Sequence, residues 1–207
     1  AWVAASREAI ALAVKKGAFN RAVKKPVKVA SDLADQVEQL LAKRILDQLG
    51  MVKRAGDLIL GFEQVREEVR KAAPAFLIEA SDGSGDQRSK VLALVRGLHT
   101  PELDETGKPA GNLELPPVVG CFLASELGMA LGRDRVIHAC VKYGRIAHAW
   151  RGELERLSGF RHVWLPGWQP SSATGQKFSD DTQARVSGGN SPGTPISTEL
   201  DATEVSE

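Results

Sequence analysis

Few residues in this chain have types and spacing suited to chemistry. The four histidines, His99, His138, His148 and His162, keep no ligand spacing with one another or with the two cysteines, Cys121 and Cys140. They therefore make no metal-binding pattern. His138 alternates within an apolar run and His148 falls on a helical face, so both read as packing or surface residues. The cysteines form no Cys-x-x-Cys pair, and their expected place is the core of a protein kept in a reducing compartment. No serine lies in a Gly-x-Ser-x-Gly elbow. Ser81-Asp82-Gly83-Ser84-Gly85 is glycine-rich but lacks the Gly-Lys-Ser/Thr ending that cradles nucleotide phosphates. The expectation is a protein that is not an enzyme and needs neither metal nor cofactor.

What remains is charge. The net charge is only +1, yet residues 1 to 30 carry Arg7, Lys15, Lys16, Arg21, Lys24, Lys25 and Lys28 against a single acid, Glu8. From His162 onward the balance reverses, with Lys177 and Arg185 facing Asp180, Asp181, Glu199, Asp201, Glu204 and Glu207. A basic head of this density attracts polyanions. The competing reading is a solvated helix surface that binds nothing specific.

Periodicity supplies the elements that hold these charges. Ser6 can cap a helix with Ile10, Ala13 and Val14 on its apolar face, ending near Gly17. A short helix over Ala18 to Lys24 stops before Pro26. A longer one starts at Ser31, with Leu33, Val37, Leu40 and Leu41 in one stripe and Leu46, Leu49 and Val52 beyond a bend near Lys43 to Leu46. Strands and helices then alternate. Strands are expected at 58–60, 75–80, 118–122 and 136–141, and helices after Gly61, after Gly83, over 125–131 and after Gly144. Val65 and Val69, then Val91, Leu94, Val95 and Leu98, then Ile146, Trp150, Leu154 and Leu157 mark the inward faces. This alternation predicts an α/β sheet covered by helices on both faces. Residues 99 to 115 read as a long acidic loop. Trp164 and Trp168 should pack within the molecule, while the Ser-, Gly-, Thr- and Pro-rich remainder should be disordered. With 43% hydrophobic and 26% charged residues, and no run of about 20 apolar residues, the expectation is a soluble cytoplasmic protein without a membrane span.

Three motifs occur in series. Lys53-Arg54-Ala55-Gly56-Asp57-Leu58-Ile59-Leu60-Gly61, then Ala80-Ser81-Asp82, then Ser125-Glu126-Leu127-Gly128-Met129-Ala130-Leu131-Gly132 resemble the L7Ae/L30e-like RNA-binding domain over roughly residues 46 to 158. Upstream, Ala1-Trp2-Val3 and the basic run to Lys28 resemble the end of a YlxR-type domain, whose front half would lie before Ala1. The pair is similar to alphaproteobacterial proteins that join the two modules. The resemblance implies a three-layer α/β/α sandwich preceded by a small, mainly helical basic segment. Its parts are a YlxR-like piece (1–45), an L7Ae/L30e-like domain (46–160) and a disordered tail (161–207).

The resemblance also implies non-catalytic RNA binding, to structured or ribosomal RNA and in contact with transcription or ribosome components. The helix after Gly61 would present its N-terminus to RNA, where free backbone N–H groups meet phosphate and base-edge acceptors. The residues so implied are Lys53, Arg54, Gly61, Phe62, Glu63, Gln64, Arg66, Arg70 and Lys71, with the basic head beside them. Three residues differ from the family pattern: Glu63 stands at an Asn position that reads a guanine edge, Glu67 at a Lys-type position, and Asp57 replaces a frequent Lys. The alternative is a protein-interaction adaptor that uses the same fold without RNA.

Overall fold

A computed structural model describes residues 2–100 and 115–170. Its first element starts where a hydroxyl can close it. Ser6 Oγ accepts from the Ala9 amide at 3.1 Å, and helix α1 (Arg7–Lys15) follows with Ile10 and Ala13 buried. Val14, expected on the same face, is exposed, because it lies about 100° around the helix from Ala13. Gly17, in the left-handed region at φ 62°, turns the chain into α2 (Ala18–Val23).

Helix α3 (Leu33–Arg54) runs unbroken, so the expected bend near Lys43 to Leu46 is absent and residue 45 falls inside one helix. Its buried residues are Ala42, Ile45, Leu49 and Val52, and Leu40 from the predicted stripe is exposed. The shift has a tertiary cause. Helices α6 (Ala124–Leu131) and α7 (Arg145–Ser158) pack on the C-terminal half of α3, where the Trp150 indole donates to Ile45 O at 3.1 Å.

The sheet has four strands: β1 (Leu58–Leu60), β2 (Phe76–Glu79), β3 (Val118–Val119) and β4 (His138–Val141), in the order β1-β4-β2-β3. β4 is antiparallel to both β1 and β2, and β2 is parallel to β3. Each predicted strand is present but, β1 apart, shorter than drawn; Ala75 and Ala80 extend β2 by single bonds to Val141 O and Ile137 O. Successive strand residues point to opposite faces, and the apolar residues divide accordingly. Phe76 and Ile78 join a cluster with Ile45, Leu49, Leu127, Trp150 and Leu154. Leu77 joins Val65 and Val69 of α4 (Phe62–Lys71), Val91 and Val95 of α5 (Gly85–His99), Cys140 and Trp168. Fully burying each such aliphatic side chain contributes roughly 1.5–3 kcal/mol. The described residues thus form a mixed α/β structure with one four-stranded sheet and seven helices. No described helix is long and apolar enough to cross a membrane.

The start of the tail needs correction. Residues 161–170 do not belong with a disordered segment: they run along the outer edge of β3. Gly120 donates to Val163 O, Leu165 to Val118 O, and Val118 to Trp168 O, all within 2.9 Å. Trp164 stacks on Phe76 with centroids 6.5 Å apart, and Trp168 is 4% exposed beneath the Arg96 guanidinium. Irregular sequence hides such a segment, because its order comes from the unpaired backbone of an edge strand rather than from periodicity. Residues 171–207, the rest of the predicted tail, and 101–114, most of the predicted acidic loop, lie outside the described residues.

Trp168→Ala should therefore destabilise the protein by about 3–5 kcal/mol, as for other buried tryptophans. Urea unfolding followed by far-UV circular dichroism measures this. A change near zero would mean that the segment only lies on the surface.

Candidate functional site

The implied RNA-facing turn is built by a glycine that nothing else can replace. Gly61 leaves β1 at φ 103°, and its N–H donates to His138 O at 2.9 Å. A Cβ there would crowd only Gln64 Oε1, the movable end of a side chain, so it is the positive φ that requires glycine. α4 begins here without a side-chain cap. Its first-turn amides at Phe62, Glu63 and Gln64 have no intrahelical acceptor.

The cations assigned to this turn do not gather around it. Arg66 sits 5.2 Å over the Phe62 ring and pairs with Glu63 at 3.1 Å, so one candidate neutralises another. Lys53 Nζ donates to Leu131 O at 2.5 Å and closes the C-terminal end of α6. Lys53 and Arg54 precede the start of β1, whereas Gly61 to Gln64 follow its end. Arg70 and Lys71 occupy the last turn of α4, about 12 Å along the helix from its start, where cations favour the helix dipole. The turn proper is left with Gly61, Phe62, Glu63, Gln64 and Arg66.

The motifs behind the family resemblance have structural work of their own. Asp82 Oδ1 accepts from the Ala124 amide at 2.7 Å and Oδ2 pairs with Arg135, so Asp82 caps α6. Glu126 accepts from the Leu123 amide at 2.8 Å, and Ser81 donates from both N and Oγ to Phe122 O. Gly128 is buried against the backbone; a Cβ there would lie 2.6 Å from Asp134 O and 2.7 Å from Arg133 O.

The basic head divides in two. Arg7 is a tertiary tie: its Nε donates to Phe160 O at 3.1 Å, and its guanidinium pairs with Asp35 and Glu38. Hydrogen bonds to Asp35 and then Glu38 hold its pKa above the ordinary arginine value. Arg161 reaches the same Glu38 at 2.6 Å. Arg7 therefore leaves the set of candidate phosphate ligands. Lys15, Lys16, Arg21, Lys24, Lys25 and Lys28 are all exposed, and none forms an ion pair with a described residue.

Sequence reasoning missed one buried polar cluster. Glu79 and His138, 1% and 3% exposed, face each other across β2 and β4 with Oε2 and Nδ1 at 2.7 Å. His138 Nε2 lies 3.2 Å from Gln87 Oε1, and its ring is 5.4 Å from that of Phe62. The one available signal was Glu79 itself, the single charge in an otherwise apolar strand. Among the described residues no group of His, Cys, Asp and Glu could hold a metal ion.

No protein-family model matches the chain, and no curated protein does. Among solved structures, the chain is similar to a protein of unknown function from Bacillus halodurans. The two are 22% identical with a TM-score of 0.42, and the match covers 54% of this chain and 96% of the other.

The thiols allow a direct test of how closed the core is. Burial lifts both Cys121 and Cys140 from 9.0 to about 12, with Arg161 opposing the rise at Cys121 and Lys142 at Cys140. At pH 8 each should hold roughly 10³-fold less thiolate than an ordinary cysteine. Iodoacetamide labelling of the native protein should be slower by about that factor and recover fully in denaturant. Native labelling of Cys140, the fully buried thiol, at the free-thiol rate would show that the core opens readily, whereas Cys121 is only partly buried.

Proposed function

We propose that this chain is a non-catalytic RNA-binding protein whose basic head supplies the affinity and whose α/β domain supplies the platform. One observation carries the reading: six head cations stand in solvent without an acidic partner among the described residues. Each cation that neutralises a phosphate releases condensed counterions, and this term dominates affinity for nucleic acid. In this reading the platform is a three-layer α/β/α sandwich of the L7Ae/L30e kind. Support for that layering comes from two apolar clusters that draw alternate residues of β2. The head is the closing part of a YlxR-type module. Such a protein acts in the bacterial cytoplasm beside the transcription or translation machinery.

The adaptor reading also has an observation in its favour. At the start of α4 the Arg66–Glu63 pair leaves little free positive charge, and Lys53 is engaged elsewhere. RNA affinity should then come mainly from the head, with the α4 turn contributing orientation.

Replacing Lys15, Lys16, Lys24 and Lys25 together by Ala tests this. Binding of the full chain to a structured RNA should weaken. The slope of log K against log salt should flatten by about 0.7–0.9 for each phosphate that the variant no longer neutralises. Circular dichroism checks that the variant keeps its fold. An unchanged slope would remove the head from the interface. If the parent chain fails to bind structured RNA, duplex DNA or single strands at low salt, the adaptor reading is the right one.

A further inference from the structure

We infer that His138, held by Glu79, is a positioning residue that locks the starts of α4 and α5 to the same end of the sheet, so that a change at one helix start is felt at the other. His138 is the first residue of β4 and touches three other elements at once. Its carbonyl accepts the Gly61 N–H at 2.9 Å, fixing the main chain at the turn into α4. Its ring lies against Phe62, the first residue of that helix, at 5.4 Å between centroids and a 57° tilt. Nδ1 meets Glu79 Oε2 at the end of β2, and Nε2 meets Gln87 in the first turn of α5.

An imidazole suits this task because its two nitrogens point away from each other while its face stays free for an aromatic contact. A leucine would fill similar space and keep the main-chain bond to Gly61, but hold neither Glu79 nor Gln87. The arrangement is expensive as a source of stability, since buried pairs of this kind are often matched by well-packed apolar residues. Glu79 Oε1 has no hydrogen-bond partner, so the carboxylate is held through its other oxygen, on His138. Geometry is what the cluster supplies. The same end of β2 anchors the loop before α5: Gly83 donates to Ala80 O at 3.1 Å and Arg88 to the same oxygen at 2.5 Å. α5 therefore starts from a point defined by Glu79 and its neighbours, and α4 from a point defined by His138.

The coupling itself is independent of RNA; its consequence for binding rests on the function proposed above. The test uses the full ¹⁵N-labelled chain and the amide resonances of Gly61 and Phe62 at one helix start and Gly83, Gly85 and Gln87 at the other. Phe62→Leu changes a side chain at the α4 start, one that touches His138 and the α4–α5 cluster. In the parent background it should also shift the Gly85 and Gln87 amides, and in the His138→Leu background it should not. Gln87→Leu, which cuts only the bond to α5, should break the transmission in the same way and serves if His138→Leu fails to fold. A structured RNA hairpin is the probe for binding: His138→Leu or Gln87→Leu should lower its affinity by about fivefold or more with the salt slope unchanged. A merely structural defect would lower thermal stability without cutting the transmission of the Phe62→Leu shift. If Phe62→Leu leaves the α5 amides unmoved in the parent, or moves them equally in the Gln87→Leu background, the inference is wrong. If the amides behave as stated but the parent binds no RNA, the coupling stands and the proposed function falls.

Discussion

β4 pairs with β1 on one side and β2 on the other, and the remaining elements depend on that central position. β2 and β4 are buried along their whole length. A strand in that setting must be apolar on both faces, and any polar residue on it must find a partner on its neighbour. Glu79 and His138 are those polar residues, and they stand in register. Antiparallel pairing places their side chains on the same face of the sheet, where a slip of one residue would send them to opposite faces. The Glu79–His138 pair thus opposes register errors in the two strands that hold the core.

From this centre the apolar content follows in two directions. Alternate residues of β2 feed the cluster of α3, α6 and α7 and the cluster of α4 and α5. Small residues permit the close approaches that the helices need. Gly128 lets α6 lie on the backbone of Arg133 and Asp134, and Gly159 lets the end of α7 meet Ala5. That second approach begins the attachment of the head. Arg7 and Arg161 converge on Glu38, and the Arg7 amide donates to Gly159 O. The head is held by its first residues, so the later cations from Lys15 onward remain in solvent.

This division assigns different physics to two candidate surfaces. The head acts through long-range charge, which needs no exact placement and weakens with salt. The α4 turn acts through geometry: a glycine with φ 103°, uncapped amides and a packed aromatic residue. Of the cations assigned to that turn, Lys53 serves α6, Arg70 and Lys71 lie at the far end of α4, and Arg66 is neutralised by Glu63.

The order and type of the elements were legible in the sequence, because hydrophobic periods of two and 3.6 residues are local properties. Trp150, Leu154 and Leu157 on α7 and Val65 and Val69 on α4 were read correctly as buried. The charge of the head and the glycine at the turn into α4 were legible for the same reason. Tertiary structure alone decided the rest. It left Leu40 of the expected α3 stripe exposed and buried Ala42 and Ile45 beside the expected Leu49 and Val52, because α6 and α7 pack on its second half. It ordered residues 161–170 on an edge strand, and it took Arg7 and Lys53 out of the candidate interface by giving them partners far along the chain. It also brought Glu79 to His138 across 59 residues. A sequence pattern reports which face a residue occupies, and the partner waiting on that face is set only when the chain closes on itself.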